Sequence, residues 1–87
     1  MKTLTIKEVI YATQGKYPGN QFDISINGVS TDSRTTKEQD LFVPLTGPNF
    51  DGHDFIKQAL EKGAAATLCD KSKKAKVDGL PYENIIF

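Results

Sequence analysis

The sequence predicts an α/β fold in which a small sheet, built around a parallel βαβ unit, is covered by two helices. Three features predict it. Leu41-Phe-Val-Pro-Leu45 is a continuous apolar run, the pattern of a strand covered on both faces. An amphipathic stretch from about His53 to Lys62 follows, with Phe55, Ile56, Ala59 and Leu60 on one side, Lys57, Gln58, Glu61 and Lys62 on the other, and Gly63 as its stop. Ala64 to Cys69 then reads as a second buried strand. Strand, loop, helix and strand within about thirty residues imply two parallel strands joined by a right-handed crossover.

The remaining elements follow from local signals. Thr5-Ile-Lys-Glu8 has the spacing of a capping box, so a helix is expected from about Ile6 to Gln14, with Ile6, Val9 and Ile10 as its apolar stripe and Gly15 as its left-handed stop. Past the turn-forming Pro18-Gly-Asn20, the residues Phe22, Ile24 and Ile26 alternate with Asp23, Ser25 and Asn27, which predicts a half-buried strand, and Asn27-Gly28 marks a turn or bend after it. Pro44 cannot donate to a ladder and signals a sheet edge or a strand end. Lys71 to Lys76 is a basic run without interleaved aromatics, read as a solvated loop rather than a nucleic-acid surface. Asp78-Gly-Leu-Pro81 is a turn signal before a last strand, Ile85-Ile-Phe87. With three apolar residues ending the chain and no polar cap behind them, Phe87 is read as a cut through a longer protein.

Composition narrows the function classes. Eighty-seven residues with 38% hydrophobic, 25% charged and a net charge of zero describe one ordinary globular domain, 1–87, without the basic excess of a nucleic-acid binder. The amino terminus interrupts its apolar residues with charges, which predicts neither a secretion signal nor membrane insertion and places the protein in the cytoplasm. Cys69 is the single cysteine and reads as a small, inert core residue. His53 is the single histidine, and no second His, Cys pair or carboxylate cluster gives metal-site spacing, so no metal is expected. Its acidic neighbours suit capping or ion pairing rather than general-base chemistry, and no catalytic residue is assigned.

Two stretches carry candidate chemistry. Gly47-Pro-Asn-Phe-Asp-Gly52 has the Gly-x-x-x-x-Gly spacing of a phosphate loop between a strand and a helix, but His53 and Asp54 stand where such a loop needs Lys and then Ser or Thr for phosphate and magnesium. Asp51 instead suits an N-cap and Asp54 the first helical turn, where negative charge favours the helix and repels a triphosphate. Pro48, Asn49 and Phe50 remain as a loop wall able to stack on a base or sugar and bond its edge. Thr31-Asp-Ser-Arg34 has two readings that composition leaves open. It is either a turn held by Asp32 and Ser33 with Arg34 in a surface ion pair, or a polar ligand site in which Ser33 and the planar fork of Arg34 meet a group such as a diphosphate.

Taken together, the Asp-Ser-Arg turn, Asp-Leu-Phe-Val before a strand, a Gly-bounded loop, Asp-Gly-His-Asp-Phe-Ile and a helix ending in Gly-Ala run from Gly28 to Asp70 in one order. This stretch, about half the chain, resembles the N-terminal domain of the Mur ligases, ATP-dependent amide-forming enzymes of bacterial cell-wall precursor synthesis. Phe-Val-Pro, Asn-Phe-Asp-Gly-His and the opening Leu-Thr-Ile-Lys-Glu-Val are most similar to the members that add D-alanyl-D-alanine, with those that add a diamino acid as the near alternative. The resemblance implies a domain that binds the uridine diphosphate end of UDP-N-acetylmuramoyl-tripeptide. It also implies a central domain that takes ATP and Mg2+, and a C-terminal domain that helps bind the dipeptide, neither of which lies in this chain. On the matching positions Thr31, Ser33, Pro48, Asn49 and Phe50 become the expected contacts to the UDP moiety, with Asp32 and Arg34 supporting the turn. Gln39 stands where the family usually has Gly before Asp-Leu-Phe, so a turn needing positive φ is expected to be rebuilt there. A freestanding interaction or regulatory module on the same fold, with no nucleotide ligand, is the competing expectation.

Overall fold

The structure, a computed structural model, describes residues 4–80 and 82–87. A short strand β1 (Leu4–Thr5) runs straight into helix α1 (Ile6–Thr13), whose expected capping box is present. Glu8 N–H donates to Thr5 Oγ1 at 3.3 Å, and Thr5 N–H donates back to the Glu8 carboxylate at 3.2 Å. The left-handed stop is Gln14, at φ 53°, rather than Gly15. Gly15 is required for a different reason: a Cβ there would lie 2.5 Å from Ile86 Cγ2 and 3.0 Å from the Phe87 carbonyl oxygen.

The expected strand 22–27 shortens to β2 (Ser25–Ile26), antiparallel to β1. Ile24 and Ile26 do turn into the core, but the Phe22 ring lies half exposed, edge-on to Tyr17 at 5.3 Å. Asn27-Gly28 is no turn. The chain passes through it into β3 (Gly28–Ser30), which leaves the first sheet and pairs in parallel with β4 (Asp40–Phe42). Between these strands Gln39 holds the left-handed conformation itself, at φ 66°. Its amide nitrogen donates to the Ser25 carbonyl and its backbone N–H to the Gly63 carbonyl, both at 2.9 Å, so side-chain anchoring replaces the expected rebuilding of the turn.

The main sheet runs β3, β4, β7 (Ala66–Leu68), β8 (Ile85–Ile86), all parallel. Pro44 therefore marks a strand end, on a strand in the sheet interior. Successive residues of a strand face opposite sides, and that alternation divides the core. Leu41, Ala66 and Ile86 join Ile6, Val9 and Ile26 beneath α1. Phe42 and Ile85 join Ile56, Ala59, Cys69 and Val77 beneath α2 (Ile56–Glu61). Both faces are covered, which is why Leu41-Phe42 and Ile85-Ile86 are apolar without interruption.

The crossover from β4 to β7 holds the surprises. The Gly47 to Gly52 segment is a hairpin of β5 (Thr46–Gly47) and β6 (Phe50–Asp51), with Pro48-Asn49 as its two-residue turn. A 3-10 turn, Gly52–Phe55, then leads into α2. Phe55, expected on the buried side of the helix, is 38% exposed and stacks on Phe50 with centroids 5.6 Å apart and 17° between planes. The basic run is likewise not a loop. Lys71–Val77 is a 3-10 stretch kinked at Lys73, started by the Asp70 carboxylate accepting from Ser72 N–H and pinned by fully buried Val77. A further 3-10 turn, Tyr82–Asn84, precedes β8, and Pro81 of the expected turn lies outside the described residues.

Candidate functional site

Parallel strands present their carboxyl ends on one side of the sheet, where ligand clefts of open α/β folds form. The turn after β3 lies there. Asp32 organises it: its carboxylate accepts from the Arg34 backbone N–H at 2.8 Å and, through both oxygens, from the Arg34 guanidinium at 2.8 to 3.3 Å. Its carbonyl accepts from the hydroxyls of Ser30, Thr35 and Thr36. The Arg34 hydrogen bonds hold the Asp32 carboxyl down to about 2. Lys62 Nζ donates to the Arg34 carbonyl at 3.0 Å, tying the turn to the end of α2.

Ser33 points inward and is only 5% exposed, and its hydroxyl donates to Gln58 Oε1 at 3.0 Å. Thr31, Asp32, Ser33 and Arg34 from the turn, Phe50 from β6, Phe55 from the 3-10 turn and Gln58 from α2 enclose a cleft of about 580 Å³. Of the residues expected at the ligand, Thr31, Ser33 and Phe50 thus meet in one place, with Asp32 and Arg34 beside them. Pro48 and Asn49 do not line the cleft, because the Gly47–Phe50 pairing carries them to the exposed hairpin tip. Phe55 and Gln58 are the residues that sequence reasoning missed.

The second half of the hairpin is built as a tether. Asp51 is the N-cap, as its position suggested: its Oδ1 accepts from the His53 backbone N–H at 2.9 Å and contacts His53 Nδ1 at 2.8 Å. His53 Nε2 accepts from the Asp70 backbone N–H at 3.1 Å, so the ring proton sits on Nδ1 and the buried imidazole bridges two segments. Lys73 and Lys76 reach Asp51 Oδ2 at 3.0 and 3.5 Å, and Lys76 also pairs with Asp54. The lysines expected in solvent therefore neutralise the acidic helix start. This arrangement does not fit ATP and Mg2+: the positions a phosphate loop gives to Lys and to Ser or Thr hold a histidine with both ring nitrogens engaged and an ion-paired carboxylate. Burial, with the charges of Asp70 and Asp51, pushes the Cys69 thiol up, in keeping with an inert core role. Among the described residues no group of three or more His, Cys, Asp or Glu gathers to hold a metal ion, and no helix is long and apolar enough to cross a membrane.

The cap makes stability depend on acid. The His53 backbone N–H first, then its ring and Lys73, hold the Asp51 carboxyl well below the usual carboxylate range. A carboxyl depressed in the folded state stabilises it fully above its unfolded value, about 3.9, and loses that contribution as pH falls through the folded value. Stability should therefore decline from about pH 4 downward, with Asp32 adding to the loss near its value of about 2. Urea midpoints at pH 6, 4 and 2.5 check this. Asp51→Asn should be less stable than the parent at pH 6 and lose less between pH 4 and 2.5, whereas parallel declines would show that the cap does not carry the effect.

Comparisons with known proteins agree with this architecture. A profile described as "Mur ligase family, catalytic domain" matches residues 25–86. The chain is 42% identical over 78% of its length to the UDP-N-acetylmuramoyl-tripeptide--D-alanyl-D-alanine ligase of Bacillus subtilis, and covers 15% of that protein. It is 40% identical over 91% of its length to the UDP-N-acetylmuramoyl-L-alanyl-D-glutamate--2,6-diaminopimelate ligase of Bacteroides fragilis, covering 16% of it. Among solved structures, MurF from Acinetobacter baumannii superposes with a TM-score of 0.69 at 30% identity, over 78% of this chain and 15% of that one. MurF from Thermotoga maritima, solved in complex with ADP, gives a TM-score of 0.55 at 32% identity, over 68% of this chain and 12% of that one. The chain thus spans about a sixth or less of the length of these relatives. The profile's word "catalytic" has no counterpart in a phosphate loop here, since the 87 residues contain no Gly-Lys followed by Ser or Thr. With a profile spanning most of the chain, relatives of both types above and a shared parallel four-stranded fold, the chain belongs to the Mur ligase family and has the fold of its N-terminal domain.

Proposed function

We propose that residues 1–87 are the substrate-recognition domain of an ATP-dependent ligase that adds D-alanyl-D-alanine to UDP-N-acetylmuramoyl-tripeptide, a step of peptidoglycan synthesis in the cytoplasm. The cleft beyond β3 holds the uridine diphosphate end of that substrate. The observation that carries this reading is convergence: Phe50, from a separate hairpin, lines one cleft with Thr31 and Ser33 of the turn, beside Asp32 and Arg34. Pro48 and Asn49, at the adjoining hairpin tip, take the part of a lip that meets the ligand from outside. ATP and Mg2+ belong to a central domain of the same parent chain, consistent with the misfit of the Gly47 to Asp54 segment. The diaminopimelate-adding ligases are the second reading, favoured by the identity to the Bacteroides fragilis protein, while the MurF structures favour the first.

No bond-making group is needed in such a domain. Binding energy realised far from the reacting carboxylate positions that carboxylate for its activation elsewhere. The test is a titration of the 15N-labelled 87-residue chain with UDP and with UDP-N-acetylmuramoyl-tripeptide. Backbone shifts are expected to concentrate at residues 31–34, 49–51 and 55–58, with the full substrate at least as effective as UDP. No shift in these segments with the full substrate would overturn the site.

A further inference from the structure

We infer that Ser33 and Gln58 form a paired acceptor and donor that reads the edge of the base and selects uracil over cytosine. This rests on the cleft being the nucleotide site. A carboxamide oxygen only accepts, so the 3.0 Å contact to Gln58 Oε1 commits the Ser33 hydroxyl proton to Gln58 and leaves Oγ offering lone pairs to the cleft. The Gln58 carboxamide nitrogen donates to none of the described residues, and its two N–H groups remain beside that acceptor. The wall thus presents an acceptor next to a donor. Uracil presents the complement, an N3–H next to the O4 oxygen. Cytosine presents N3 as an acceptor next to an amino donor, which sets acceptor against acceptor and donor against donor.

The polar layout of the cleft assigns the base to this wall. Ser33 is buried, and the parallel Phe50 and Phe55 rings offer a flat apolar surface in the same cleft, which suits a neutral planar group. The Arg34 guanidinium, 80% exposed and resting on Asp32, stands at the rim, where a hydrated diphosphate remains. Gln58 is exposed on α2 and 25 residues from Ser33, so nothing in helix formation requires it. If it only propped Ser33, its exchange for glutamate would affect all nucleotides alike.

The test compares UDP and CDP on the 87-residue chain by the same shift titration, in the parent and in Gln58→Glu and Gln58→Leu. A complementary pair of base-edge contacts discriminates at the level of roughly tenfold, so the parent should bind UDP about tenfold more tightly than CDP. In Gln58→Glu the carboxylate still accepts the Ser33 proton but supplies no donor. Its charge weakens both diphosphates alike, so the UDP to CDP ratio is the readout, and it should fall below one as the carboxylate accepts from the cytosine amino group. Gln58→Leu should bring the ratio near one. Equal binding of UDP and CDP at the cleft of the parent, a CDP preference, or an unchanged ratio in Gln58→Glu would overturn the inference while the site reading stands. If neither UDP nor UDP-N-acetylmuramoyl-tripeptide perturbs the cleft, the site reading fails and the inference with it.

Discussion

Phe42→Ala should cost the fold about 3–5 kcal/mol, the range for deleting a fully buried aromatic side chain. Phe42 is 1% exposed and sits mid-sheet, on an interior strand, in one core cluster with Ile56 and Ala59 of α2 and Ile85 of β8. A chain of 87 residues holds a total of only about 4–13 kcal/mol. From about a quarter to all of that reserve would go, and the melting midpoint should fall by at least about 12 °C. Far-UV circular dichroism with heat and with urea measures it. A loss under about 1 kcal/mol would mean that the two-faced packing of β4 is wrong. Phe50→Ala supplies the contrast, because Phe50 is 51% exposed and its ring serves the cleft rather than the core.

Gly52→Ala is the second large effect, and it separates the two glycines of the phosphate-loop spacing. A Cβ on Gly52 would lie 2.7 Å from the Leu45 backbone nitrogen, 2.8 Å from the Leu45 carbonyl oxygen and 2.9 Å from Pro44 Cα. These are backbone atoms, which cannot swing aside as a side chain can, and the Gly52 N–H already holds the Leu45 carbonyl at 2.7 Å. The hairpin base must open, at a cost of about 1–3 kcal/mol or more, and with it move Asp51 from its cap and Phe50 from the cleft. Gly47→Ala meets nothing within 4 Å and should lie within about 0.5 kcal/mol of the parent. Urea midpoints of the two variants check the asymmetry, and equal effects would contradict it. The second glycine is thus a packing requirement at the root of a hairpin, not a means of approaching phosphate.

What could be read from the sequence divides along the range of the interactions. The α1 start was legible because Thr5 and Glu8 act three residues apart. The βαβ unit was legible because burial on both faces leaves apolar runs. β3 was not, since its outward residue is Val29 and its inward residue is Ser30, the reverse of the expected polarity. The hairpin escaped notice because strands of two residues have no period to detect. A 3.6-residue period points Phe55 into the core, whereas the helix begins as a 3-10 turn with a wider angular step that rotates the ring outward. Lys73 and Lys76 read as solvated because their carboxylate partners lie far back in the chain, Asp51 for both and Asp54, 22 residues away, for Lys76. At the site, Ser33 and Phe50 are legible from their own turn and loop as well as from the resemblance, but Gln58 sits on the polar face of its helix, and only the fold brings it to Ser33.

The most direct measurement of the central claim is the set of intermolecular nuclear Overhauser effects between UDP and the 13C-labelled chain. If the cleft beyond β3 holds the nucleotide, the uracil H5 and H6 protons should show cross-peaks to the rings of Phe50 and Phe55 and to the Gln58 side chain. Cross-peaks instead to Lys16, Tyr17 and Phe87, which line a separate cleft of about 440 Å³, would place the nucleotide elsewhere and contradict the account.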